Sequence, residues 1–567
     1  MSILGIDLGT TNSLACVWKG KEAILIPNAF GSYLTPSVVS FLENGEVLVG
    51  EGAKQRLHTH PSLTFAEFKR CMGTDTVYTV YTVHGKTYYP QDLSAMVIRK
   101  LVENASVFLN ERIEEAIISV PAYFNDDQRW ATKIAGQLAG IRVERIINEP
   151  SAAALSQHIQ QTEEDMLALV VDFGGGTLDI SIVEAFDNIV EIRAISGDNH
   201  LGGSDFDEAI MDCFLEENGL QRKELLPQEL ALLKTGVERA KMLLSVRKEY
   251  SLQLFLHQKN CCMELNRGKM TAICMPLLQR MQKPLERVLK DSEISLQELQ
   301  KVILVGGSCR MPAVIQYLEF LLKRDVELVH EPDQAIAIGC GTAGGIKERC
   351  SDIRDVLLSD ICPFTLGLAV YDDGARDYVM EPIIERNTAL PCSVNRMFSY
   401  RSTSGELQTS ILQGEHRKAA ANLVVRTVRI KVPKTSEEYQ PISVRFTYDI
   451  NGLLEVETNT FHEESASRVV IQNRMNRMSE EEVHQRLREL QAYKLPSQEK
   501  EVYRHLLERG ERMYSESIGE KRMRIAALLE ELEAALQQEQ PQHIREVFRR
   551  VKSALDEWEA DAVSFFS

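Results

Sequence analysis

The 567-residue sequence lacks several features that would place it in other classes of protein. No apolar run approaches the roughly 20 residues needed to span a bilayer. The opening MSILGIDLGTTNS has no basic region and its apolar run stops at Asp7, Gly9 and Thr10, so no secretory leader is expected. Positive charge is in deficit: 64 Lys and Arg stand against 82 Asp and Glu, a net charge of −18. An acidic chain repels nucleic-acid phosphates, which argues against a DNA or RNA partner, although a local pocket can still hold one nucleotide. Cysteines number eleven, an odd count without a CxxC pair, and Cys261 and Cys262 are adjacent. That spacing suits neither zinc nor a disulfide framework and reads as reduced thiols of a cytoplasmic protein. The Walker signature G-x-x-x-x-G-K-[ST] is also absent.

What is present is the balance of a globular protein, 44% apolar and 26% charged, in a chain too long for a single core. Residues 1–353 alternate β-rich and amphipathic helical runs, which predicts an α/β domain. Residues 354–360 form a short connector. Over 361–477 helical periodicity disappears: Ile442, Val444, Phe446 and Tyr448 alternate with polar residues up to an Asn451-Gly452 turn, a hairpin in a half-buried antiparallel sheet. Residues 478–567 turn helical, with apolar stripes through Ile525, Leu529, Leu532 and Leu536 and through Val547, Val551, Leu555 and Trp558.

The most informative feature is an internal repeat. Residues 3–13 read I-L-G-I-D-L-G-T-T-N-S and residues 169–179 read L-V-V-D-F-G-G-G-T-L-D. Each is a buried strand ending in aspartate, then a glycine turn carrying threonine, then a second β-like run. Glycine lets a backbone come close to an anion and expose its N–H groups. Thr10, Thr11 and Thr177 add hydroxyls, and Asp7 and Asp172 are suited to Mg²⁺ that keeps much of its water. Two such loops on duplicated halves could clamp a triphosphate from both sides. One glycine hairpin alone would be an ordinary turn; two with matched aspartates and threonines are not. A third turn follows the buried strand 302–305, in Gly306-Gly307-Ser308-Cys309-Arg310, where a nucleoside could lie on the backbone with Arg310 against the base.

GIDLGTTNS (5–13), VPAYFNDDQR (120–129), RIINEPSAAAL (145–155), VDFGGGTLDIS (171–181), HLGGSDFD (200–207), ERAKMLLS (238–245) and VGGSCRMP (305–312) occur in one order. SDICPFTLGL (359–368), IIERNTALP (383–391) and ILQGE (411–415) continue it. Together these motifs resemble the DnaK-type heat-shock chaperone family over nearly the whole chain, and within it the specialised bacterial HscC branch. The resemblance implies an actin-like α/β ATPase domain, a β-sandwich that grips extended apolar peptides of unfolded proteins, and a C-terminal α-helical lid. It implies ATP or ADP with Mg²⁺ as cofactors, K⁺ being a further candidate. By position it implies that Gly9, Thr10, Thr11 and Asn12 form one phosphate loop and Gly175, Gly176 and Thr177 the other. Glu238, Lys241 and Ser245 match the nucleoside site, with Gly307, Ser308 and Arg310. Lys69 matches the catalytic lysine, and Glu149 and Asp172 match carboxylates around Mg²⁺ and the attacking water. Phosphoryl transfer to water needs positioning and charge neutralisation, which these residue types supply. Spacing alone would leave Lys69 a solvated lysine and Glu149 a helix start; only the family match assigns them.

The connector carries Val356-Leu357-Leu358, whereas passive linkers are Gly/Ser-rich or charged, so it is expected to dock in one state. Leu357 is the expected anchor. The resemblance implies that Pro121 and Arg129 relay its docking, and that Arg145 and Asp360 contact a J-domain co-chaperone. Leu368, Leu407, Thr409 and Ile411 are expected to line the peptide groove, with Tyr371 and a residue near Tyr400 arching over it; each taken singly could equally be sandwich core. The span from Lys69 to Asp92 and the stretch around 246–262 are short for the family, which makes the usual nucleotide-exchange factor a doubtful partner. Met242 stands where some members stack arginine on adenine. The chain ends without the acidic EEVD tail, so partners that read that tail are not expected. A monomer is expected. A small-molecule kinase or a filament-forming protein on the same ATPase fold would leave everything after residue 360 unexplained.

Overall fold

The computed structural model describes residues 2–42, 44–80, 86–160, 166–186, 188–350, 353, 355–372, 374–435, 439–460, 467–469, 480–493, 495–517, 519–538 and 540–564. The first part is built from two sheets of matching plan. In the first half, β1 (Ile3–Asp7) runs antiparallel to β2 (Asn12–Lys19), which pairs with β3 (Glu22–Leu25). Helices α1 (Glu51–Thr59) and α2 (Pro90–Leu109) follow. Then come β4 (Glu115–Val120), α3 (Asp126–Leu138), β5 (Arg142–Asn148) and α4 (Glu149–Gln160). The sheet order is β5-β4-β1-β2-β3, with β4 parallel to β1.

The second half repeats this plan with β6 (Met166–Phe173), antiparallel β7 (Leu178–Phe186) and β8 (Ile189–Asp198). Helices α5 (Gly203–Glu217) and α6 (Pro227–Val246) precede β9 (Lys301–Val305), which runs parallel to β6, and β10 (Glu327–Leu328). The run of apolar residues on each central strand follows from burial on both faces. Helix α7 (Ala335–Lys347) lies against both β1 and α4. Its glycines permit that crossing: a Cβ on Gly339 would sit 1.8 Å from the Ala152 carbonyl oxygen, and one on Gly341 would sit 2.6 Å from Cys16 Sγ.

The connector is not a free linker. Residues Leu357–Ser359 form β11, which pairs parallel with Ile189–Glu191 of β8 and completes the order β10-β9-β6-β7-β8-β11. Strand alternation decides which side chains dock. Val356 is buried and Leu358 packs on the same core, whereas Leu357 is 62% exposed. Apolar composition thus correctly marks a docking segment, but its anchors are Val356 and Leu358 and not Leu357.

A sandwich follows. One sheet has the order β13-β12-β15-β16, from β12 (Leu366–Asp372), β13 (Asp377–Ile384), β15 (Glu406–Gln413) and β16 (Leu423–Lys431). The other has β14 (Cys392–Tyr400), β17 (Gln440–Tyr448), β18 (Leu454–Asn459) and β19 (Ser467–Val469) in order. The β17–β18 hairpin closes through Gly452 at φ 72°, the turn that Asn451-Gly452 predicts. Its tip rests on the first part: Asn451 Oδ1 accepts from the Ile146 N–H at 3.3 Å. A second tie is the Arg386–Asp291 pair, with two hydrogen bonds of 2.7 Å.

The last helices are α8 (Glu480–Gln491), α9 (Gln498–Glu516), α10 (Gly519–Gln537) and α11 (Pro541–Ser564). The last three share a core of Leu506, Ile525, Leu532, Val551 and Leu555. The first two lie on the first half: Val483, Leu490 and Tyr493 join its apolar core. Polar contacts ring that joint. Arg486 pairs with Asp92 at 2.8 Å, Arg56 with Glu508 at 3.0 Å, Lys100 with Glu501, and the Tyr88 and Tyr493 hydroxyls meet.

Candidate active site between two glycine loops

The two repeated loops meet face to face. A Cβ on Gly175 would lie 2.0 Å from Thr11 Oγ1, and one on Gly176 would lie 2.8 Å from Thr10 Oγ1. Only glycine permits that approach, which brings the threonine hydroxyls of one loop to the backbone of the other. Each loop is braced from behind. The Ser37 hydroxyl donates to the Gly9 carbonyl at 2.7 Å, and the Thr177 carbonyl accepts from the Gly174 N–H at 3.1 Å. Asn12 opens β2 and pairs with Pro36.

Around the loops stand four buried carboxylates and one buried lysine. Lys69, on the short 3-10 turn Phe68–Cys71, donates to Glu149 Oε1 at 2.7 Å. Glu149 opens α4 directly after β5. Asp7 accepts from the Ser119 hydroxyl at 2.9 Å, and Asp172, the last residue but one of β6, stands opposite Asp179. Burial pushes the Asp7 carboxyl up to about 7; Glu149 adds to the push, while Lys69 opposes it. Asp179 is raised to about 8, by burial first and Glu149 second. Asp172 lies well above the usual carboxylate range, through burial and then Glu149, Asp179 and Asp7.

Asp179 is a member of the site that sequence reading missed. It accepts from the Ala122 N–H at 3.0 Å, and its other oxygen is buried without a partner. The available signal was an aspartate at the second position of β7, directly after the glycine turn. This donor set is short of positive charge, and a hydrated divalent cation fits it. Among the described residues no three His, Cys, Asp or Glu side chains come together closely enough to enclose a bare ion. When bound with a nucleotide, such a cation neutralises phosphate charge.

The expected nucleoside residues are brought together, partly in another role. Glu238, Lys241 and Ser245 share one face of α6. Lys241 donates to the Gly203 carbonyl at 2.9 Å and to Asp207 at 2.7 Å, and burial lifts the Asp207 carboxyl to about 6 against that lysine. Ser308 donates to the Gly174 carbonyl at 2.7 Å. Ser308 therefore braces the second loop, and Lys241 the start of α5. Glu238 reaches across to Lys54 of α1 at 3.5 Å. Gly307 is pressed against Asp333, 2.4 Å from a Cβ placed there. Arg310 pairs with Glu331 at 2.9 Å and Asp333 at 3.0 Å, so its guanidinium is held by carboxylates. Met242 is exposed beside this face.

Of the residues expected to couple the parts, Pro121, Arg129, Arg145 and Asp360 lie near one another, while Leu357 is exposed. Arg129 donates to the Ala122 and Phe124 carbonyls and, at 2.6 Å, to Asn148 Oδ1. Pro121 is buried next to them. Asp360 accepts two bonds from Asn148 and one from the Ser151 hydroxyl, all at 3.0 Å. Arg145 is held below its ordinary range by burial, with Asp360 opposing.

A family model for the Hsp70 protein matches residues 3–564. The chain belongs to the Hsp70 family. The chaperone protein DnaK of Methanothermobacter thermautotrophicus is 37% identical over 505 residues, covering 86% of this chain and 82% of that protein. The protein is thus an ATP-dependent molecular chaperone and an ATPase, with an ATPase part, a substrate-binding part and a helical lid as Hsp70 proteins have. Kinase and filament readings are not favoured. No helix among the described residues is long and apolar enough to cross a membrane.

Of the residues expected to line an Hsp70 peptide groove, Leu368 and Ile411 are buried in the sandwich core, and Leu407 packs against it. Thr409 is half-buried and Tyr371 is exposed, edge-on to Tyr378. Tyr400 is buried; the neighbouring Arg401 reaches the surface and stacks on Tyr439.

Proposed function

We propose that ATP bound between the two glycine loops controls the grip of the sandwich on an extended apolar peptide, through the docked strand β11. The observation that carries this reading is a break in the sandwich. Strands β12 and β15 pair only from Leu366↔Gln413 to Leu368↔Ile411, yet they run on to Asp372 and back to Glu406. On their other edges both remain paired throughout, with β13 and β16. A stretch of backbone donors and acceptors is therefore left between two strands, and an extended chain added there would satisfy them. Thr409 Oγ1 reaches over to the Ala369 carbonyl at 2.9 Å, at the point where the strands part. Leu368, Leu407, Thr409, Ile411 and Tyr371 are the groove residues of this reading, the buried ones forming its floor.

In the ATPase, Asp7 and Asp172 hold Mg²⁺ through water, Lys69 and Glu149 position the attacking water, and Thr177 meets the terminal phosphate. Gly9 to Asn12, Gly175 and Gly176 cradle phosphates; Glu238, Lys241, Ser245, Gly307, Ser308 and Arg310 surround the nucleoside. K⁺ is a further candidate cofactor. The boundaries that go with this reading are an ATPase domain over 1–353, a linker over 354–360, a sandwich over 361–477 and a lid over 478–567. A J-domain co-chaperone at Arg145 and Asp360, weak dependence on the usual exchange factor, a monomeric state and a cytoplasmic, specialised HscC-like role complete it.

The test is single-turnover hydrolysis with a fluorescent extended peptide rich in leucine. Lys69→Ala is expected to slow hydrolysis about 100-fold or more while nucleotide still binds. In the native chain ATP is expected to speed peptide release, and peptide to speed hydrolysis. Peptide release that ignores ATP would refute the coupling.

A further inference from the structure

The catalytic turn contains a second cation that the family assignment leaves without a role. Arg70 follows Lys69 on the turn Phe68–Cys71 of the first half. Its guanidinium crosses the cleft to the second half, where Nη2 donates to Asp205 Oδ2 at 2.5 Å and Nη1 to Oδ1 at 3.3 Å. Nη2 also donates to the Gly176 carbonyl, in the second phosphate loop, at 3.2 Å. Asp205 is itself fixed, because it accepts from the Gly202 N–H at 2.7 Å at the start of α5. The turn is tied down at its other end too. Glu67, in left-handed backbone at φ 56°, accepts from the Ser204 hydroxyl at 3.2 Å and pairs with Lys234 of α6 at 2.8 Å.

One donor of this guanidinium is left over. Arg70 Nε is buried and has no hydrogen-bond partner. It lies 2.9 Å from the position of a Cβ on Gly176, in the same notch that Thr10 Oγ1 enters at 2.8 Å. An orphaned buried N–H carries a cost that no residue here offsets. The planar fork explains why an arginine can be fixed by its two terminal nitrogens and still present the third.

We infer that Arg70 is a nucleotide-state discriminator: held by Asp205 and Gly176, it presents Nε–H to an oxygen of the terminal phosphate of ATP, a contact that ADP does not make. The inference rests on the reading of the two loops as a phosphate cradle. A hydrogen bond to a charged oxygen in a buried site corresponds to about a 10- to 100-fold effect on affinity. Arg70 would thereby favour the closed cleft with triphosphate, and ADP would be bound without it.

The experiment is equilibrium calorimetry of the full chain with Mg²⁺ and either ADP or a β,γ-imido analogue of ATP. Arg70→Lys keeps the charge but lacks the rigid third donor; Arg70→Gln removes the charge. Both are expected to weaken the triphosphate analogue about 10-fold or more and ADP less than about 3-fold, so that the preference between them collapses. Asp205→Asn, which loosens the guanidinium without removing it, should shift the ratio in the same direction by less. Equal weakening of both nucleotides, or no change in either, would overturn the assignment and leave Arg70 a bridge between the halves. Retained ADP binding in the variants reports an intact fold. Failure of the native chain to bind either nucleotide would instead sink the cradle reading.

Discussion

Asp360 and Asn148 are joined by two hydrogen bonds of 3.0 Å, and the residue after Asn148 is Glu149, which holds Lys69. The end of the connector is therefore hydrogen-bonded to the residue next to Glu149. Arg129 completes the joint by donating to the same Asn148 side chain. Replacing Asp360 by Ala leaves the Asn148 amide and the Ser151 hydroxyl buried without their acceptor, at a cost of about 1–3 kcal/mol for each group. The expected outcome is an ATPase whose basal rate is retained within a few-fold but which no longer accelerates when peptide is added. Steady-state rates with and without peptide check it.

The connector strand separates two neighbouring leucines. Leu358 faces the core of the first part and Leu357 faces out. Leu358→Asp is expected to weaken docking of β11 by about 2 kcal/mol or more, since it buries a charge where an apolar side chain packed. Leu357→Asp is expected to change it by about 0.5 kcal/mol or less. Limited proteolysis of the connector in ATP reads the difference; equal sensitivity of the two variants would contradict the strand register.

Much of this was legible in the sequence because the features concerned are local. Two glycine loops with matched aspartates announce the cradle, and the Asn451-Gly452 hairpin and the apolar stripe through Ile525, Leu529 and Leu532 are written in short periods. What distance in sequence joins was not legible. Nothing in the spacing says that Lys69 and Glu149, 80 residues apart, form an ion pair, or that Arg70 reaches Asp205. The side of the strand on which Leu357 falls depends on which edge of the sheet β11 joins. The burial of Leu368 and Ile411, set against the exposure of Tyr371, follows from how the two sheets of the sandwich close over each other.

The acidic cluster makes a pH prediction with a definite sign. Asp7 and Asp179 titrate near 7 and 8 in the folded chain and near 4 when unfolded. The folded form binds more protons in that window, so these groups contribute stability below about pH 4 that is lost as pH rises through 7 to 8. The melting temperature of the nucleotide-free protein is expected to fall between pH 6 and pH 8.5. Mg²⁺ with nucleotide must displace those protons, so it should flatten the slope and bind more tightly at the higher pH. Scanning calorimetry with and without Mg²⁺–ADP checks both signs. Stability that rises over this range in the nucleotide-free protein would contradict the assignment.

The lid joint offers a double-replacement test. Arg56 and Glu508 are both buried and paired at 3.0 Å across the joint. Glu508→Gln leaves a buried guanidinium without its counter-charge and is expected to cost about 3–5 kcal/mol of docking. Replacing both residues by Met should recover most of that loss, because a paired apolar substitution leaves no charge stranded. Fluorescence energy transfer between dyes on α2 and α11 measures the docked fraction. A double variant as undocked as the single one would show that the pair is not the issue.

Strand β11 also bears on how the chaperone stays soluble. When it leaves, the backbone of Ile189–Glu191 on β8 becomes a bare sheet edge, and Val356 and Leu358 come into water together. Bare edges invite pairing with other chains, and a chaperone works among unfolded ones. This edge carries charge. Glu191 lies on the edge itself, and Arg193 beside it is held by Glu184 and Glu191 at 3.7 and 3.4 Å. The charge on the segment that receives the connector thus works against pairing with a stray strand.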